Sequence, residues 1–352
     1  MSVASRRIGP KGTVSGGLGG LAISANEIKV DTSKELKADD VAKAIAGNTA
    51  TIKDLTMKTI DASAFDGIQG KELAYIDLSA TGITGMEVSR SAGPFKGVSE
   101  KTFIYMPAGN TSTEPNVVIG GVCANMQMDG TSNAPFQVAK DFTAAKATLQ
   151  RTFKDGKRAT IYLPYAISQA TANALGSFYT FKGITGTTVE MAKVTSGGLK
   201  ASTPYIYVPE GTIDKVEVSN AAVKTGTNLS LNFVGTYEKL MWPVDQKNIY
   251  CFVGEEKGGF EVGMFARMGA GSWVSPFRAY MRNTSVSAPS LDISWLEDDD
   301  NEQESSGIKT VTATEQDSKI GAKGWFSVNG IRMDGEPAKK GLYIHNGKKV
   351  VK

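Results

Sequence analysis

One histidine and two cysteines are all that 352 residues offer of the side chains most used in catalysis and metal binding. The histidine, His345, stands beside Asn346-Gly347 in an expected tail hairpin, so a Ser-His-Asp or Cys-His arrangement has no base in a packed site. Zinc takes Cys and His ligands at close spacing, and Cys123 and Cys251 lie far apart. They make no disulfide framework; one bridge between them is the alternative to the favoured reading, free buried thiols. Charge is nearly balanced, with 39 basic and 36 acidic residues and a net of +3, which gives no electrostatic case for nucleic acid. No run approaches the roughly 18 apolar residues of a membrane span. Met1 to Gly20 carries Arg6, Arg7 and Lys11 with no apolar stretch behind them, and so does not read as a secretory signal. No cofactor is expected. Gly17-x-Gly19-x-x-Ala22 approaches a dinucleotide fingerprint, but no strand precedes it.

Hydrophobic residues make up 41% of the chain, enough for real cores, and the length suits about two or three domains. Residues 1–24 are rich in Gly and Ser and are expected to be flexible. Glu27–Val30 reads as a short strand and Lys34–Ala46 as a helix, with Leu36, Val41 and Ile45 near one face and Gly47 as its stop. An apolar pair then recurs four times: Leu55/Met57, Ile76/Leu78, Ile104/Met106 and Met126/Met128. The spacing falls within about 20–29 residues, the range of leucine-rich repeats. Each unit would bury its short strand only by stacking on the next, leaving a continuous face that binds rather than catalyses. Phe65-Asp-Gly67 and Phe95-Lys-Gly97 repeat a second element, in which the Phe plugs the core and the Gly permits a tight turn.

From Ala147 the pattern changes. Residues 147–153 alternate, Asp155-Gly156 marks a hairpin, and 160–163 would return beside them. Ser168–Leu175 reads as a short helix with Ser168 as N-cap. Short strands follow at 177–182, 187–194, 204–208, 213–218, 229–235, 248–254, 260–265, 276–282 and 290–295, which argues an antiparallel sandwich. Six charges crowd Glu297–Glu304 and read as a solvated linker. Asp298, Asp300 and Glu302 alternate like a calcium loop but lack the glycine of its sharp turn. Asn329-Gly330 and Asn346-Gly347 predict two tail hairpins.

The expected class is therefore mainly β: a leucine-rich-repeat-like module at 25–140, a β-sandwich at 141–296, an acidic linker at 297–323 and a β tail at 324–352. No catalytic site is marked. Glu238, Glu255 and Glu256 read as loop carboxylates rather than the facing pair a glycosidase needs. The candidates for a ligand surface are Tyr75, Asp77, Tyr105 and Gln127, which alternate with the buried pairs and should point outward, and Trp242 and Trp273, which flank loops. The competing readings are a solvated sheet face for the first four and ordinary core for the tryptophans.

These residues also carry a resemblance. Ile52-Lys-Asp-Leu-Thr-Met57, Ile60-Asp-Ala-Ser-Ala-Phe65, Leu73-Ala-Tyr-Ile-Asp-Leu-Ser79 and Phe103-Ile-Tyr-Met-Pro107 resemble the BspA-type leucine-rich-repeat proteins of Bacteroidetes. Ala159-Thr-Ile-Tyr-Leu-Pro-Tyr165, Gly176-Ser-Phe-Tyr-Thr-Phe181, Thr203-Pro-Tyr205 and Pro276-Phe-Arg-Ala-Tyr280 are similar to the β domain that follows such repeats. Gly341–Val350 resembles the tail of exported relatives, in some of which it is a sorting signal. The resemblance implies an exported, cell-surface or secreted adhesive protein without catalytic residues. Its partner would be a protein or a glycan, and an alternative is a carbohydrate-binding or carbohydrate-processing protein that uses the β-sandwich.

Overall fold

A computed structural model describes residues 33–226, 230–254, 260–283 and 287–296, and in the tail 325–327, 332–333, 337, 342–345 and 348–351. The described residues up to 296 belong to one compact unit and the tail to another. The fold is mainly β. The expected flexible start, the strand at 27–30, the acidic linker and both Asn-Gly turns lie outside the described residues.

The first half begins with β1 (Lys34–Leu36), α1 (Ala38–Ala44), β2 (Ile45–Ala46), β3 (Thr49–Thr51) and β4 (Met57–Ile60). The helix is shorter than expected, because Lys34–Leu36 pairs in parallel with β4 and buries Leu36 there. Asp40 caps α1 by accepting the Lys37 backbone N–H at 3.1 Å. Gly47, in the left-handed region at φ 61°, turns β2 into β3.

Next come β5 (Tyr75–Asp77), β6 (Phe103–Met106), β7 (Val117–Ile119), β8 (Val122–Cys123), β9 (Met126–Asp129) and β10 (Phe142–Phe153). Strands β3, β5, β6 and β7 stack in parallel, so that Ala50, Ile76, Ile104 and Val117 face one another in a column. That column closes one core, in which the Phe65 and Phe95 rings stack 4.7 Å apart. Gly97 takes a left-handed turn at φ 78°, whereas Gly67 does not.

Two of the four expected rungs need correction. Leu55 is 69% exposed in a turn, and Met57 belongs to β4, so the first rung is Ala50/Ile52. The reason is Asp54, whose Oδ1 accepts both the N–H and the hydroxyl of Thr56, at 2.9 and 2.6 Å, and ends the strand early. The pair Met126/Met128 aligns instead with Ala147/Leu149 of β10 and enters a different core.

The second half holds β11 (Ala159–Tyr162), α2 (Gln169–Leu175), β12 (Gly176–Thr185), β13 (Thr188–Lys193), β14 (Pro204–Pro209), β15 (Ile213–Val223) and β16 (Phe233–Thr236). It continues with β17 (Leu240–Trp242), β18 (Ile249–Phe252), β19 (Phe265–Arg267), β20 (Ser272–Val274), β21 (Arg278–Arg282) and β22 (Ser290–Leu296). Ser168 caps α2 by accepting the Thr171 N–H at 3.2 Å. The expected hairpin across Asp155-Gly156 does not form. Strand β10 has both edges occupied, by β8 and β9 on one side and β15 on the other, while β11 pairs with β14. The parallel stack therefore runs on through β10 to β15, and the boundary expected at residue 140 falls between strands of one sheet.

The second large sheet has the order β11-β14-β12-β13-β22-β19-β18-β21-β16. It is antiparallel except for the parallel pair β13–β22, so both large sheets are mixed. The second sheet curls until its ends meet. The Tyr162 N–H donates to the Phe277 carbonyl at 3.2 Å, and the Ala279 N–H to Thr160 Oγ1 at 3.1 Å. Gly235 lies against the Tyr162 ring so closely that a Cβ would overlap it. Phe233, Tyr250, Phe265 and Met281 fill the inside of the curl. A larger core, with Leu149, Phe178 and Tyr207, lies between the two sheets. In the tail, β23 (Trp325–Ser327) pairs antiparallel with β24 (Arg332–Met333) and with β25 (Leu342–His345), and β25 with β26 (Lys348–Val351).

Candidate functional site

A cleft of about 260 Å³ opens beside β9. Met128, Ala134, Pro135, Phe136 and Phe277 form its apolar part, and Glu100, Lys101, Asn116, Gln127, Asp129, Ser132 and Gln150 its polar part. Three devices hold its walls. The buried Arg90 guanidinium donates to the carbonyls of Ser99, Thr102 and Pro115 at 3.1, 2.7 and 2.8 Å, which fixes the 99–102 loop. Burial lowers the pKa of this arginine, against the opposing charges of Glu114 and Glu100. Asn116, buried at φ 57°, donates through Nδ2 to the Glu100 and Gln127 carbonyls at 2.9 and 3.0 Å and accepts the Gln127 N–H at 2.8 Å. Phe277, at φ 58°, offers its carbonyl to Arg151 Nη1 at 3.4 Å. Arg151 also donates to the Thr160 carbonyl at 2.7 Å, and Arg278 to the Gly130 carbonyl at 3.1 Å. Burial, then the neighbouring Arg278, push the pKa of Arg151 well down. Positive φ in a bulky residue is strained, and such strain gathers at functional sites. Among the described residues, two of the four non-glycine residues with positive φ line this cleft.

Across the cleft, Lys101 Nζ lies 3.4 Å from Asp129 Oδ2 and donates to Ser132 Oγ at 2.7 Å. Asp129 Oδ1 accepts the Thr131 N–H and hydroxyl at 2.9 and 2.6 Å. Burial would raise the pKa of Asp129, but these bonds and Lys101 outweigh it and hold the carboxyl below its usual range. The same Asp-x-Ser/Thr turn ends β3 at Asp54 and β5 at Asp77. The motif is legible in the sequence as a strand terminator, and it points to Asp129.

Of the residues expected at a ligand surface, only Gln127 lines the cleft. Tyr75 is half-buried, and Asp77 and Tyr105 are 3% and 2% exposed. They are neighbours, as expected, but their face is covered. Phe142 packs on Phe103 and Tyr105 at 5.8 and 6.0 Å, and Phe136 on Phe103 at 5.5 Å. The Ala139 N–H donates to Tyr105 Oη at 3.2 Å. Lys140 Nζ lies 3.0 Å from Asp77 and also bonds Ser79, while the Ser79 hydroxyl donates to Asp77 at 2.6 Å. This trio of serine, lysine and aspartate is a tether that holds the covering segment. An outward-facing row was expected from alternation alone. Aromatic and paired acidic side chains bury readily once a second layer supplies partners, and here it does.

The tryptophans sit on a two-stranded ribbon, β17–β20. Trp242 lies opposite Ser272 and Trp273 opposite Met241, so the two rings point to opposite faces. Trp242 is half-buried, edge-on to Tyr280 at 5.4 Å. Trp273 is 49% exposed, with Lys239 Nζ 5.3 Å from its ring centre. A joint surface of both rings is therefore not formed.

Both cysteines are free thiols; Cys123 is buried, and desolvation raises its pKa to about 11. Among the described residues no group of three or more His, Cys, Asp or Glu is placed to hold a metal. No described helix is long and apolar enough to cross a membrane. Glu255, Glu256, Asp298, Asp300 and Glu302 lie outside the described residues, and Glu238 is exposed. No protein-family model, curated protein or solved structure matches the chain.

Proposed function

We propose that the chain is a non-catalytic interaction protein, adhesin-like, exported to the cell surface or the medium, that binds a protein or glycan partner without a cofactor. The cleft beside β9 carries this reading. It joins an apolar floor to a rim of amides and carboxylates, the make-up of a recognition site, and its walls are held by buried arginines and an asparagine rather than by reactive groups. The parallel column Ala50–Ile76–Ile104–Val117 supports counting residues 33–119 as a short leucine-rich-repeat-like module. The antiparallel pairings of the second half support a sandwich-like body behind it. Export rests on the family resemblance of the repeats and tail.

Two measurements test this reading. Antibody detection in surface, medium and cytoplasmic fractions of the native cells should find the protein outside; a purely cytoplasmic protein defeats the localisation. A pull-down from the surroundings of those cells should recover a partner that Gln127→Ala weakens. The second reading, carbohydrate binding through the later β-sheet body, is favoured by the exposure of Trp273 and Met241 side by side. Glycan-array binding lost in Trp273→Ala would select it.

A further inference from the structure

The cleft touches Gln127, Met128 and Asp129 together. Successive strand residues face opposite sides of a sheet, and here Met128 is buried in the core while Gln127 is exposed. A space in contact with all three lies along the edge of the strand. Among the described residues, strand β9 pairs only with β10. On its other side the Asn116 side chain stands in for a strand over one residue, bonding both the N–H and the carbonyl of Gln127. Residues two apart along a strand direct their backbone groups the same way. The Asp129 N–H therefore points away from β10 too, toward the cleft, while the Asp129 carbonyl takes the Ser132 N–H at 3.3 Å.

Three further observations choose the occupant. Phe136 and Phe277 meet edge to face, 4.9 Å between centroids, and both are buried. They offer no open ring face to a sugar, but they make an apolar seat for the end of a side chain. Lys101 is bound to Asp129 and Ser132, which leaves Glu100 as the rim charge without an ion pair among the described residues. The volume lies below the roughly 300–1,000 Å³ of pockets that enclose a whole small molecule, and suits one anchor of a longer chain.

We propose that this cleft takes an extended peptide segment of a partner along the β9 edge. One apolar side chain enters the Phe136–Phe277 seat, and a neighbouring lysine or arginine meets Glu100. The side-chain amides of Gln127 and Gln150 and the Asp129 N–H bond the peptide backbone. This rests on the reading of the chain as an interaction protein and names the chemistry of its partner.

The test pans a phage-displayed random peptide library on the full chain and measures synthetic versions of the enriched peptides by fluorescence anisotropy. Enriched peptides should share an apolar residue next to a basic one. Ala134→Trp, which fills the cleft, and Glu100→Gln, which removes the rim charge without reversing it beside Arg90, should each weaken binding by about tenfold. Peptides that bind both variants as well as the parent overturn the proposal, as does a library that yields no binder. Labelled glycans that bind the chain and are lost in Ala134→Trp overturn the peptide assignment but leave the interaction reading standing. If the chain binds neither peptides nor glycans and the pull-down recovers no partner, both fall.

Discussion

Strands β6 and β9 each carry one of the recurring apolar pairs, Ile104/Met106 and Met126/Met128, and meet opposite fates. In β6 all four residues are buried, between β5 and β7 and between two cores. In β9 the buried and exposed residues alternate, with one strand partner and, along the other edge, the Asn116 side chain in place of a strand. A period of two tells which residues share a face. It does not tell whether a second layer covers that face, or whether the edge finds a neighbour. The covering of β6 depends on Phe136, Ala139, Lys140 and Phe142, all from a later stretch of chain.

Four measurements break or sharpen this contrast. The largest effect belongs under the doubly packed strands. Phe95→Ala removes half of the stacked Phe65–Phe95 pair and should cost about 3–5 kcal/mol in denaturant unfolding. A cost near zero would mean that the column is not packed from below. Second is the seam that carries Phe277 into the cleft. Arg151→Met takes the side-chain donor from the Thr160 carbonyl, while the Phe277 carbonyl keeps the Tyr162 N–H, and a buried acceptor left unpaired costs about 1–3 kcal/mol. An unchanged or raised midpoint would assign the arginine no stabilising role. Third, Tyr105→Phe should cost about 0.5–1.5 kcal/mol through the lost bond from Ala139 and leave partner binding unchanged. Gln127→Ala, on the open strand, should shift stability by less than about 0.5 kcal/mol while weakening the partner. The reverse pattern would defeat the contrast.

The smallest effect is one of pH. The hydroxyl of Thr56, then Lys34, bring Asp54 down to about 2, and Lys224, then Thr225, do the same for Asp141. The Ser63 hydroxyl and N–H also lower Asp61. Depressed carboxyls stabilise the fold above their ordinary value of about 3.9. That stability is lost as pH falls through about 2. Unfolding midpoints should therefore be level above about pH 5 and fall below about 4, less steeply in Asp141→Asn.

Much of the local structure was legible. Ser168 marks the start of α2, the strands of the second half fall close to their expected places, and Phe65 and Phe95 plug one core as their repetition suggested. Asp-x-Ser/Thr at Asp54, Asp77 and Asp129 was legible as well, and would have placed the first rung at Ala50 rather than Leu55. Pairing was harder to read. Asp155-Gly156 makes its turn, yet the strands around it join different sheets, because β8, β9 and β15 already occupy the edges of β10. Of the cleft, Gln127 alone was anticipated. Asn116, Phe136 and Phe277 come from separate stretches, and no local signal joins them.

Composition and period settled the conformational alphabet of this chain: its β character, many of its turns, its scarcity of imidazole and thiol, and which residues share a face. Those follow from backbone sterics and from hydrogen bonds between near neighbours, and both act over a few residues. Which edges pair and which faces are covered was decided only by the folded whole. Apolar burial has no direction and no memory of sequence distance, so Phe142 covers Tyr105, and β9 is left with an edge that no second strand joins, only once the remote strands have found their places.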